Sequence, residues 1–330
     1  MKKKVFILII IIIVIGVIVY NNYSNDDYRD ETERRYTHYL ELEKKIYTKN
    51  ELRKPLLKGD KIYALNYHNQ EILVTNLNGD IISKYGGYGD SPKRNHGIRY
   101  FNINENESIS IIDVQKNTLS KINVRDSLLF FHKFNSLINC GGQLNENTYV
   151  ISHYNNDNLD FKKIRFNDKK QEVVKLDKKL YPKTEHNNLA YEGSFYTKGE
   201  NDLFYIPYYN SNMVHIKDNQ VEYFQTIYNP DPIKYTQKGD MLINHSVPHY
   251  YDVTFSKDKM FILSKYGFQK NNKTYMVVDE YNVDSKLYVT SILIEKDDYE
   301  NYPAYLIVDD ESYFLFYDEY MTINALIDIN

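Results

Sequence analysis

The chain has 330 residues, a net charge of −4 and a pI near 6.2, a balance that excludes the basic footprint of a phosphate-backbone binder. Cys140 is its only cysteine, which excludes an intrachain disulfide and a structural zinc site built from several cysteines. With 34 Tyr and 15 Phe against 8 Pro and 13 Gly, the composition suits long strands, and 42% hydrophobic residues suffice for one large all-β domain or two ordinary ones.

Residues 1–4 carry three lysines, and residues 5–20 are continuously apolar apart from Gly16. Sixteen residues of helix span ~24 Å against a hydrocarbon core of ~30 Å. A signal peptide shares the basic start and the apolar run, but it ends in small residues of the A-x-A kind. Here the run ends Val17-Ile18-Val19-Tyr20-Asn21-Asn22, and no cysteine follows for lipid attachment. The expectation is an uncleaved transmembrane signal-anchor, with a cleaved signal peptide as the alternative. The lysines stay in the cytoplasm, so the rest of the chain lies outside it.

Residues 21–48 are polar and charge-dense and read as a stalk. Asp30 and Glu33 have the spacing of a capping pair for a short helix with Tyr36, Tyr39, Leu40 and Ile46 on its apolar side. Glu41–Lys49 is also the one β-compatible run ahead of the main domain, residues 49–330.

From Gly59 to Gly97 three β-type runs, Lys61–Tyr67, Glu71–Asn76 and Ile81–Lys84, are separated by polar turns and followed by a Gly-rich loop. The unit recurs. Measured at Gly59, Glu105, Glu146, Gly199, Lys257 and Asp310, the spacings are 46, 41, 53, 58 and 53, near the ~40–50 residues of a propeller blade. Second turns at Asn78-Gly79-Asp80, Arg125-Asp126, Asn167-Asp168, Asp218-Asn219 and Asp284-Ser285 carry residues that tolerate positive φ. A single sandwich of ~100 residues would not give six matching units. No fourth run follows the sixth unit, so Glu41–Lys49 is expected to supply the outer strand that closes the ring.

Lys61–Gly97 resembles the six-bladed β-propellers of the NHL and TolB-like kind, in particular the membrane-tethered or secreted members common in Bacteroidetes. The resemblance rests on an I-Y-x-x-x run, a polar turn, an I-x-x-x-N-x-x-G run and G-x-G-x-x-P, here Gly87-Tyr88-Gly89-Asp90-Ser91-Pro92. It implies an all-β, six-bladed propeller of four-stranded antiparallel blades after the N-terminal transmembrane helix. It also implies that the second-to-third and inter-blade loops share one face around the channel.

On that assignment His68 and His153 fall near second-to-third turns, and His96, His186, His245 and His249 in inter-blade loops, with Arg94 and Tyr250 beside them. These eight residues are the expected ligand-binding face. His96, His186 and His249 are the candidate metal ligands, since imidazole suits zinc, copper or iron. The plainer account is that loops are polar and histidine is polar. The long 229–248 connection is expected to overhang this face. No G-x-S-x-G, H-E-x-x-H or P-loop occurs, so no motif demands a cofactor. The expected function is a tethered extracytoplasmic module that binds a protein or small molecule, with no nucleic acid and no catalysis. The alternative is a metal-dependent hydrolase or lyase, for which the inner strands offer Asn102, Asn104 and Asp252.

Overall fold

The computed structural model describes residues 34–329 apart from 49, 124, 156–157, 167–169, 177, 182–190, 219, 229–232, 239–240, 271–272 and 297–301. The expected membrane segment, residues 5–20, lies outside the described residues. Among the described residues every element is a strand, and no helix is long and apolar enough to cross a membrane.

After β1 (Tyr36–Tyr47) come four separate four-stranded sheets. The first is β2 (Arg53–Lys58), β3 (Lys61–Asn66), β4 (Glu71–Asn76) and β5 (Ile81–Gly86). The second is β6 (Ile98–Ile103), β7 (Ile109–Asp113), β8 (Thr118–Ile122) and β9 (Leu128–Lys133). The third is β10 (Cys140–Asn145), β11 (Thr148–Asn155), β12 (Asn158–Arg165) and β13 (Lys170–Val174). The fourth is β14 (Gly193–Gly199), β15 (Asp202–Pro207), β16 (Asn212–Lys217) and β17 (Gln220–Gln225). A hairpin of β18 (Tyr235–Lys238) and β19 (Met241–Asn244) follows. It lies inside the long 229–248 connection.

The remaining strands form one eight-stranded sheet in the order β20-β21-β22-β23-β1-β26-β25-β24. They are β20 (Tyr250–Ser256), β21 (Lys259–Lys270), β22 (Lys273–Asn282), β23 (Leu287–Lys296), β24 (Tyr305–Asp309), β25 (Ser312–Phe316) and β26 (Tyr320–Asp328). This sheet is two antiparallel meanders joined through β1. From His38 to Tyr47, β1 runs antiparallel to β26; from Tyr36 to Leu40 it runs parallel to β23. The segment read as a charge-dense stalk is therefore strand from Tyr36 onward, and no helix starts there. Two open sheet edges offer a ladder, nine residue pairs of it with β26, that an isolated polar helix cannot match.

The sheets pack face to face around a ring, as in a β-propeller. Second strands are buried on both faces and are mostly apolar: Lys61–Asn66, Ile109–Asp113 and Asp202–Pro207. Outer strands alternate, as in Leu128–Lys133. Large apolar clusters lie between neighbouring sheets, for example Tyr63, Ile72, Phe101 and Ile111 between the first and second, and one lies between the two halves of the eight-stranded sheet. The cluster of Ile46, Leu52, Ile62, Leu73, Ile307 and Phe314 joins the end of the chain to its beginning.

In an up-and-down meander the first-to-second and third-to-fourth turns fall at one end, here called lower. The tight residues of these turns adopt positive φ: Gly59, Gly79, Glu107, Asp126, Asn201, Asp218, Lys257, Lys286 and Asp310. Glu and Lys are uncommon there, and asparagine side chains brace several of the turns. Asn106 Oδ1 accepts from the Ser108 N–H at 3.0 Å, and Asn282 Oδ1 from the Ser285 N–H at 2.8 Å.

The segment before β1 is pinned as well. Arg34 donates to both carboxylate oxygens of Asp279, at 3.1 and 3.0 Å, and lies over the Tyr266 ring at 4.2 Å. Ser291 Oγ donates to the same carboxylate at 2.6 Å.

Two outcomes follow from β1. A chain lacking residues 1–33 should remain folded and monomeric, whereas one lacking residues 1–50 should melt earlier and aggregate through β23 and β26. Equal melting temperatures for the two would contradict this role. Within the intact chain Leu40→Ala should cost about 2–5 kcal/mol by emptying a buried site. Arg34→Ala should cost about 3–5 kcal/mol in denaturant unfolding, because Asp279 would be left charged and buried.

Candidate functional site

The inner strands enclose a cavity of ≈ 570 Å³. Five of them line it: β2, β6, β14, β20 and β24. The exception, β10, is screened. Gln143 N–H donates to Tyr100 Oη at 2.9 Å, Tyr100 Oη lies 2.7 Å from Thr197 Oγ1, and Thr197 Oγ1 donates to Gln143 O at 2.9 Å. This closed circuit ties β6 to β14 in front of β10. The glycines of β10 make the approach feasible, since a Cβ on Gly142 would fall 2.6 Å from Phe195 Cβ.

The upper half of the cavity is formed by the starts of the inner strands. Tyr196, Tyr251 and Tyr305 line it, together with Tyr208, which follows β15. Ser194 Oγ and Tyr208 Oη are 2.5 Å apart. Lys54 enters from a bulge between Arg53 and Leu56, where its φ of 48° is left-handed. Its Nζ donates to Arg99 O at 2.5 Å. Asp252 is 6% exposed, and its Oδ2 accepts from the Leu306 N–H at 3.0 Å. The lower half carries Lys58, Lys198, Lys257, Asp309 and Asp310, with Lys257 Nζ 2.8 Å from Asp310.

Burial displaces the two charged groups of the upper half in opposite directions. Desolvation, with the Arg99 charge behind it, pulls Lys54 down to about 8. Desolvation pushes Asp252 up to about 7, against two backbone N–H bonds that favour its charged form. Both resist ionisation, the expected pattern for groups awaiting a ligand or a proton transfer. Burial also raises the Tyr208 hydroxyl to about 12 and the Cys140 thiol to about 12, so both are neutral.

None of the described residues expected to bind ligand lines this cavity. His68 is exposed in the β3–β4 turn. Arg94 is committed to Gly86 O within its own loop. His96 stacks on Tyr88 at 4.8 Å with Nε2 3.0 Å from Asp90, on the outside of the same loop. His153 lies in strand β11, opposite Asp160, and burial followed by Lys162 lowers its pKa. His245 Nε2 is 2.5 Å from Thr236 Oγ1 across the β18–β19 hairpin. His249 and Tyr250 sit in the seam between β15 and β20. His249 is 8% exposed with its ring 3.8 Å from that of Tyr228, and Tyr250 Oη donates to Ile206 O at 2.6 Å. His186 is outside the described residues. Among the described residues no three His, Cys, Asp or Glu side chains are grouped to hold a metal ion.

The loop from Gly86 to Gly97 is held in shape by its own residues and by Asp113 and Lys116 of the second sheet. The Lys116 ammonium donates to the carbonyls of Asp90, Ser91 and Arg94 at 3.0, 2.8 and 2.8 Å. Asp113 accepts from the His96 and Gly97 N–H groups at 2.6 and 3.1 Å. Positive φ at Gly86, Gly87 and Gly89 makes the turn. The glycine motif thus serves the loop's own shape.

Of the residues flagged on inner strands, Asn102 and Asp252 do line the cavity. Asn104 is buried and receives Gln143 Nε2 at 2.5 Å. Lys54, Tyr196, Tyr251 and Tyr305 were missed. The available signal was Lys54-Pro55, a proline inside an inner strand, which marks the unpaired edge that faces the channel.

Asp252→Asn gives a test with a defined sign. A carboxyl whose folded pKa is raised stabilises the fold fully only below its unfolded value near 4, and this contribution is lost as pH rises through about 7. The variant should therefore melt higher than the parent at about pH 8 and lose that advantage at about pH 5. An advantage independent of pH would show that Asp252 is ordinary.

No family model and no curated protein matches the sequence. Solved structures match over nearly the whole chain. A DUF4221-family protein from Bacteroides vulgatus is 11% identical, with a TM-score of 0.56, over 90% of this chain and 100% of its own. An exported protein from Bacteroides fragilis is 12% identical, with a TM-score of 0.54, over 90% and 95%. A virginiamycin B lyase from Staphylococcus aureus, solved with quinupristin, is 13% identical, with a TM-score of 0.50, over 87% and 100%. At these identities the likeness concerns the fold: this chain is a β-propeller similar to those of Bacteroides proteins.

Proposed function

We propose that this protein is a membrane-tethered, extracytoplasmic binding module that holds a small molecule in its central cavity. The observation that carries the reading is the cavity of ≈ 570 Å³, a size typical of ligand pockets, with hydroxyls and two ionisable groups converging at its upper end. We read the eight-stranded sheet as two blades sharing β1, so that the ring has six blades of the NHL or TolB-like type. In its support, each half has four strands once β1 is counted with β24, β25 and β26. Lys2–Lys4 ahead of the apolar run 5–20, and the exported neighbour from Bacteroides fragilis, support a single anchor with the propeller outside the cytoplasm.

A second reading is a hydrolase or lyase. The observation in its favour is Asp252, a carboxyl held near neutrality and so suited to proton transfer. The lyase from Staphylococcus aureus supports it only as a fold that hosts such chemistry.

The binding reading is tested with Thr254→Trp, which places bulk in the cavity from a half-buried position. Small aromatic and polyhydroxyl compounds that raise the melting temperature of the parent should bind once per chain by calorimetry and fail to bind the variant. Equal affinity for both would remove the cavity as the site. Turnover of a lactone panel that disappears in Asp252→Asn would replace binding alone with catalysis. Alkaline phosphatase fused after Asn330 should be active, and a reporter there that works only in the cytoplasm would overturn the topology.

A further inference from the structure

Lys54 brings one cation to the upper wall of the cavity, and Arg99, outside the lining, carries a second charge near enough to act on it. Lys54 reaches that wall through its left-handed bulge, and its ammonium bonds to the Arg99 carbonyl. The Arg99 side chain is exposed at the start of β6, and its charge acts on Lys54, Glu192, Cys140 and Tyr208. Neither cation forms an ion pair among the described residues. The ionisable neighbours among the described residues include Tyr196 and Tyr251, both raised by burial. Asp252 on β20 is committed to the N–H groups of Leu306 and Val253. Glu192, before β14, is half-buried, and desolvation pushes its carboxyl upward despite Arg99. Cys140, Tyr208 and Tyr305 are held neutral by burial. Two like charges interact where the nearby acids are the ones least willing to ionise.

Resting on the binding function above, we propose that the upper mouth of the cavity takes the anionic head of a small organic carboxylate, with Lys54 and Arg99 as its partners and the tyrosines of β14, β20 and β24 around its body. An anion relieves the repulsion between the two cations and supplies the missing charge. The cavity is far larger than an inorganic ion, and its upper walls beyond Lys54 carry Tyr196, Tyr208, Tyr251 and Tyr305, with the carboxyl of Asp252 among them and a separate group of lysines and aspartates at the lower end. The ligand is therefore organic, with its charge at one end. Binding should favour the protonated amine and draw a proton onto Lys54. Affinity should then fall as pH rises past about 8, where the free amine predominates.

The test uses phenylacetate, its neutral counterpart phenylacetamide and inorganic phosphate, measured by titration calorimetry at low salt. Phenylacetate should bind once per chain, with phenylacetamide weaker by about 10–100-fold, the worth of charge-assisted hydrogen bonds. Lys54→Met and Arg99→Met should each cost a similar factor without changing the melting temperature by much, because neither residue is part of an apolar cluster. Lys54→Arg should keep binding but lose the decline between about pH 7.5 and 9.5, since arginine stays charged. The proposal fails if phenylacetamide binds as tightly as phenylacetate, if phosphate binds and phenylacetate does not, or if Lys54→Met retains affinity. In the first of these cases the cavity is still a binding site and only the anion falls. If neither organic compound binds, the anion inference falls, while the wider binding function is judged by the Thr254→Trp comparison.

Discussion

Ring closure by β1 is the interaction on which the rest of this molecule depends. Each sheet is apolar on both faces, so each needs two neighbours, and the last must meet the first. Leu40 and Ile46, on one strand, enter different clusters, one between the two halves of the eight-stranded sheet and one against the first sheet. The strand also pairs on both edges, which removes the open ladders of β23 and β26 at once. The preceding Arg34 adds a buried ion pair with Asp279. A segment rich in charges, Tyr36–Tyr47, therefore carries little core of its own but completes two interfaces.

The cavity is a consequence of that closure. Inner strands are edge strands, with one side paired and the other facing the axis. Pro55 is tolerated there because it has no ladder partner to lose on the open side. Symmetry is broken at β10, whose Gly141 and Gly142 let the neighbouring strands close over it. The circuit of Gln143, Tyr100 and Thr197 satisfies its own donors and acceptors, so that wall offers little to a ligand. The remaining strands present Lys54, Asp252 and the tyrosines. The ring thus has a sealed side and a side that presents ionisable groups to the cavity.

Much of the fold was legible because the repeat is physical. A second strand buried on both faces must be mostly apolar, and a lower turn must accept positive φ, so Lys61–Asn66 and Gly59 announce themselves. The closing role of Glu41–Lys49 could be inferred from a missing fourth run. The hairpin at Tyr235–Asn244 was hidden by its polar composition, and Tyr36–Leu40 by its place in a charge-dense stretch that reads as a stalk. The site was harder. Reasoning from loops selected histidines, and the loops hold them for structural purposes: His249 in a seam, His96 on Tyr88, His153 inside a strand. The cavity residues lie at the starts of inner strands, where sequence alone does not say which edge faces the axis.

A comparison of two lysines separates structure from function in this fold. Lys116 and Lys54 are both upper-face cations that donate to backbone carbonyls. Lys116 is ringed by the carbonyls of its neighbouring loop, and every such bond stabilises its charge. Its role is complete within the chain. Lys54 has a single carbonyl, a second cation beside it, and a backbone conformation that lysine rarely adopts. The left-handed backbone alone does not mark function, since Lys257 and Lys286 adopt it in lower turns; Lys54 differs in lining the cavity from a strand bulge. Among the described residues no carboxylate pairs with Lys54, and this is the contrast with Lys116 on which the proposed anion site rests.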